Sequence, residues 1–151
     1  MEPTRHGFHL AFLSALALAA GVGFWLEVSF LAPADEATLE EHLGTVRSAA
    51  SEAVFLIDRD RAGWVPAPYL HSKMEVLARS ASRAGASLAG ARPKPRLRGA
   101  FRQASRLATL ASATLERISA KRPSTGAKTE ARTTLAGIRA QAQALEEEEK
   151  R

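Results

Sequence analysis

The sequence predicts an all-α fold: one N-terminal transmembrane helix followed by an Ala-rich four-helix bundle or two docked helical hairpins. Three observations carry that expectation. Leu10 to Leu26 is an uncharged run of 17 residues. Beyond it, apolar residues recur at alternating spacings of four and three. Clusters of proline and glycine then cut the remaining chain into four segments of similar length.

The apolar run comes first. At roughly 1.5 Å per residue it is long enough for the hydrocarbon core of a bilayer, which takes roughly 17–25 residues. The expected organisation is a tail over residues 1–9, a membrane helix over 10–31 and a water-exposed domain over 34–151. A cleaved secretory signal is the competing reading, with Ala32-Pro33-Ala34 as its best cut site. The apolar region from Phe8 to Leu31 exceeds the roughly 7–15 residues of a signal, which favours a retained anchor. Ala11, Ala15, Ala19 and Gly23 recur every fourth residue and share one helical face. Small residues at this spacing let another membrane helix approach closely, so they are the candidate helix contact. Phe24 and Trp25 stand at the far end, where amphipathic rings favour the headgroup level.

Arg5 precedes the run, and no Lys or Arg follows it until Arg47. Positive residues prefer the cytoplasmic side. The expected orientation is therefore N-terminus in the cytoplasm and domain outside, in the periplasm if the cell is bacterial.

In the domain, Gly63-Trp64-Val65-Pro66-Ala67-Pro68, Gly90-Ala91-Arg92-Pro93-Lys94-Pro95 and Arg122-Pro123-Ser124-Thr125-Gly126 each combine proline with glycine. Proline removes a backbone donor and glycine accepts helix-ending conformations, so these are breaks. They bound segments 34–60, 68–90, 96–121 and 127–150. The first carries Leu39, Leu43, Val46, Ala50, Ala53 and Ile57; the second, Leu70, Met74, Leu77, Ala81, Ala84 and Leu88. The third carries Leu97, Phe101, Ala104, Ala108, Ala111, Leu115 and Ile118; the fourth, Ala131, Leu135, Ile138, Ala142 and Leu145. A period of about 3.5 is the stripe of helices packed at shallow angles. Alanine at so many stripe positions buries little apolar area, which predicts marginal stability for the isolated domain and keeps two hairpins docked on a partner as the alternative.

Charge is divided along the chain. The net charge of +5 is the sum of a first half (1–75) with 5 basic and 10 acidic residues and a second half with 16 basic and 6 acidic. Between Val76 and Leu115 there is no acidic residue at all. Arg92, Lys94, Arg96, Arg98, Arg102 and Arg106 fall in that interval and are the candidate contacts to an anionic surface, such as lipid headgroups or an acidic protein face. The alternative is pairing within the chain, with Glu36, Glu40, Glu41 and Glu52 facing Arg79, Arg83 and their neighbours. Nucleic acid is disfavoured, because no aromatic residues are interleaved with the arginines for base stacking.

No catalytic chemistry assembles. The chain has no cysteine, hence no disulfide and no thiolate metal site. The four histidines His6, His9, His42 and His71 lack the further ligands a metal requires. No Gly-rich phosphate loop or nucleophile elbow appears. Asp58-Arg59-Asp60-Arg61 reads as a charge-laced helix end. Trp64, Pro66, Pro68 and Tyr69 read as a packed corner, with a docking spot as the other possibility. The run Glu146 to Glu149 reads as a solvated, fraying end. The expectation is a non-enzymatic, single-pass accessory or scaffolding subunit of a membrane complex, without cofactor or metal. A membrane-tethered sensor or an anionic-lipid tether is the alternative.

Overall fold

The computed structural model describes residues 33–120 and 123–149, and all four long elements among them are α-helices: α1 Glu36–Arg61, α2 Ala67–Gly90, α3 Arg98–Ser119 and α4 Thr125–Glu149. Residues 10–31, with Ala11, Ala15, Ala19, Gly23, Phe24 and Trp25, lie outside the described residues. Among the described residues no helix is long and apolar enough to cross a membrane.

Each helix begins where local chemistry allows. The Asp35 carboxylate accepts the Thr38 N–H at 3.1 Å and satisfies one of the orphan donors at the start of α1. Pro66 and Pro68 flank the start of α2, where a missing N–H costs nothing. Ser124 Oγ accepts the Ala127 N–H at 3.1 Å at the start of α4. α3 starts at Arg98, two residues after the expected start of the third segment at 96. Pro95–Leu97 forms a 3₁₀ turn, and Leu97 is buried from there rather than from α3.

α1 ends in a Schellman motif. Gly63, at φ 75°, donates to the Asp60 carbonyl at 2.9 Å, while Trp64 N–H donates to the Arg59 carbonyl at 3.0 Å. Only glycine takes that left-handed conformation without a steric cost. The chain thereby reverses in a few residues and sets α2 antiparallel to α1.

The four helices close into a compact up-and-down bundle, not two separate hairpins. α1 packs on α2 and α4, α3 packs on α2 and α4, and α1 also meets α3 across the middle. Every stripe position named above is buried in one continuous core. Twelve of the 29 buried apolar residues are alanine, which is what lets the diagonal pair touch. Gly85 lies at a close approach of α2 to α3, since a Cβ there would lie 3.2 Å from the Cβ of Ala108. The large side chains Leu39, Leu43, Met74, Leu115 and Leu135 therefore carry much of the burial.

Candidate functional site

The α2–α3 turn and the first turns of α3 carry the six basic residues singled out from sequence. The Ala34 N–H donates to the Arg92 carbonyl at 3.0 Å, and the Lys94 N–H donates to the Ala34 carbonyl at 3.3 Å. The α2–α3 turn is thus stitched to the residue that leads into α1. Arg92, Lys94, Arg96, Arg98, Arg102 and Arg106 are all exposed. Arg96 is the one of these six paired with a carboxylate among the described residues, that of Glu36. Lys94 acts at a distance on Asp35. That carboxyl is held below the ordinary aspartate value chiefly by the Thr38 N–H and hydroxyl, with the Lys94 charge a smaller contributor.

Pairing within the chain, the alternative raised from sequence, is met in part: Glu36 pairs with Arg96 and Glu52 with Lys73, not with Arg79 or Arg83. Glu52 faces Lys73 at 3.9 Å, and Arg79 turns to Glu75 on its own helix at 2.8 Å. Neither Arg79 nor Arg83 reaches the acidic residues of α1. The reason is geometric: α1 spends its charged flank on α4. Arg132 donates to Asp58 through Nε at 2.6 Å and Nη2 at 3.1 Å. Lys128 reaches Asp60 at 2.6 Å, and Arg47 reaches Glu146 at 2.6 Å. The Asp58 to Arg61 run is therefore a seam between α1 and α4. The acidic end is corrected too: α4 stays helical to Glu149, and the Glu146 side chain is only 7% exposed.

The Arg132 guanidinium holds the Asp58 carboxyl below the ordinary aspartate value, first by hydrogen bonding and then by charge. A carboxylate depressed on folding contributes stability above its unfolded value, and that contribution fades as pH falls through the folded value. Between about pH 4 and the lower folded value, the wild type should lose more stability than Asp58→Asn. The difference in urea midpoint should be small, since both partners are half exposed. Measuring midpoints for both proteins from neutral pH down through this window checks it.

The aromatic turn between α1 and α2 is open rather than packed. Trp64 is 70% exposed, Phe55 55% and Tyr69 48%. The Arg59 guanidinium lies 4.5 Å from the Trp64 ring centre and 5.0 Å from that of Phe55. Lys73 lies 5.8 Å from the Tyr69 ring centre. Together with the Glu52–Lys73 contact, these place Phe55, Trp64 and Tyr69 on the outer face of the α1–α2 hairpin. Phe55 was missed from sequence because it sits between buried stripe residues of a helix rich in apolar positions. Among the described residues no group of three or more side chains is arranged to hold a metal ion.

No protein-family model matches the chain, and neither does any curated protein or solved structure.

Proposed function

We propose that this chain is a non-enzymatic, single-pass membrane protein whose helical bundle serves as an accessory or scaffolding subunit of a larger membrane complex. The observation that carries the reading is the aromatic face of the α1–α2 hairpin. Three large rings stand exposed on a bundle whose stripe residues are already buried. Aromatic residues backed by arginine are the side chains that dominate protein–protein contacts. The apolar run 10–31 supplies the anchor, and the small residues Ala11, Ala15, Ala19 and Gly23 supply a second contact inside the bilayer. In the preferred orientation the bundle lies outside the cytoplasm.

Detergent-solubilised membranes should yield the full chain in a species of fixed stoichiometry, read as a molar mass by light scattering. The triple variant Phe55→Ser, Trp64→Ser, Tyr69→Ser should elute as the lone chain with its helicity intact. Ala15→Leu with Ala19→Leu should weaken the same species from the membrane side. A wild-type chain that elutes alone contradicts the subunit reading. A triple variant that keeps its full complex removes the aromatic face from it.

A further inference from the structure

We propose that the groove between the end of α2 and the start of α3 holds the phosphate of anionic lipid headgroups. This rests on the reading of residues 10–31 as a membrane anchor. The groove has a volume of about 410 Å³ and is lined by Leu88, Ala89 and Phe101 with Arg98, Arg102 and Arg106. The three arginines stand four residues apart on one line of α3. Like charges at this spacing repel one another, and no carboxylate among the described residues lies within ion-pair distance of any of them. An anion placed between them relieves that repulsion.

The helix itself adds to the field. α3, like α2, has no capping side chain and no acidic residue in its first turn, whereas α1 opens with Asp35 and Glu36. Arg98 adds its charge at the positive end of the α3 dipole. Guanidinium groups match phosphate oxygens with paired N–H donors, so phosphate is the chemistry this ladder fits.

Position selects the source of the phosphate. The turn bearing Arg92 is hydrogen-bonded to Ala34. With residues 10–31 held in a bilayer, the chain from residue 31 to Ala34 spans at most about 11 Å. The turn that carries the ladder is thus joined, through Ala34, to the stretch of chain that directly follows the proposed anchor, while the aromatic rings stand by the other end of α1, a helix of 26 residues. Nucleic acid fits poorly. Phe101, the one aromatic ring in the groove, is 2% exposed and offers no stacking face.

The chain has no cysteine, so Gly90→Cys introduces a unique label site beside the groove, where a Cβ meets nothing within 4 Å. The labelled full chain is placed in nanodiscs of neutral lipid and in discs containing phosphatidylglycerol, each doped with headgroup-nitroxide lipid. Quenching of the fluorophore should be severalfold stronger in the anionic discs and should fall toward the neutral level in high salt. The triple variant Arg98→Gln, Arg102→Gln, Arg106→Gln should enter both discs and quench equally in the two. Equal quenching of the wild type in both discs overturns the proposal. So does loss of the anionic signal on adding inorganic phosphate at unchanged ionic strength, which assigns the groove to a free anion. Failure to enter either disc tells against the anchor alone. In that case salt-reversible sedimentation with anionic but not neutral vesicles supports the groove, and no sedimentation with either overturns it.

Discussion

Leu115→Ala should destabilise the bundle by about 2–5 kcal/mol, the cost of deleting a buried leucine together with the cavity it leaves. Leu115 is fully buried on α3 in a core where twelve of the 29 buried apolar residues are alanine. A core so rich in alanine has few long side chains with which to fill the gap. That places the expected loss in the upper part of the range. For a domain of this size the melting temperature should fall by about 10 °C or more. Leu110, five residues earlier on the same helix and 48% exposed, provides the control. Leu110→Ala should change stability by no more than about 0.5 kcal/mol. Urea unfolding followed by circular dichroism measures both. Equal effects at the two positions would mean that the stripe is not the core.

The second large effect belongs to the close approach of α2 and α3 at Gly85. Gly85→Leu should cost about 3 kcal/mol or more, because its Cβ would already lie 3.2 Å from the Ala108 Cβ and 3.8 Å from the Thr109 nitrogen. Helix backbone cannot yield locally, so α2 and α3 must separate. Separation also breaks the bond from the Ser105 hydroxyl to the Gly85 carbonyl, at 3.4 Å. Gly85→Ala isolates the opposing terms. Alanine gains about 1 kcal/mol of helix propensity over glycine while requiring Ala108 to move by a few tenths of an ångström. Unfolding midpoints should therefore place alanine near the wild type and leucine far below it. A leucine variant as stable as wild type would show that the two helices are not held this close.

These effects trace back to what the sequence makes readable. The alternation of four and three names residues from Leu39 to Leu145 that are all buried, because a helix has only one face to give to a core. The proline–glycine clusters mark the breaks for an equally local reason. Pairing between helices is not local. Asp58 finds Arg132 and Asp60 finds Lys128 only once α1 and α4 lie antiparallel, and nothing within either segment states which helix its neighbour is. Glu146 shows the same limit. Its position in a run of four glutamates reads as solvent, yet the antiparallel register brings Arg47 to it and buries it. The basic ladder falls between these cases. The spacing of Arg98, Arg102 and Arg106 is legible, but the pair of backbone hydrogen bonds that joins their turn to Ala34 is not.

The aromatic corner reads differently in sequence and in three dimensions for a related reason. Trp64 and Tyr69 lie beside prolines in a tight turn, a setting in which rings usually find a packing partner. Here the turn leaves Trp64 70% exposed, with the Arg59 guanidinium 4.5 Å from its ring centre. That exposure, with Phe55 beside it, is what turns the corner into a candidate contact.

Membrane anchoring through residues 10–31 underlies both the subunit and the headgroup proposals, and alkaline extraction tests it most directly. Membranes from cells expressing the full chain are washed in high salt and then in alkaline carbonate, and the chain is assayed in pellet and supernatant. Anchoring predicts that the chain stays with the pellet through both washes, because a buried apolar helix is not released by screening or by loss of surface charge contacts. Release into the supernatant by either wash would contradict it, leaving at most a bundle that touches the membrane through its arginines.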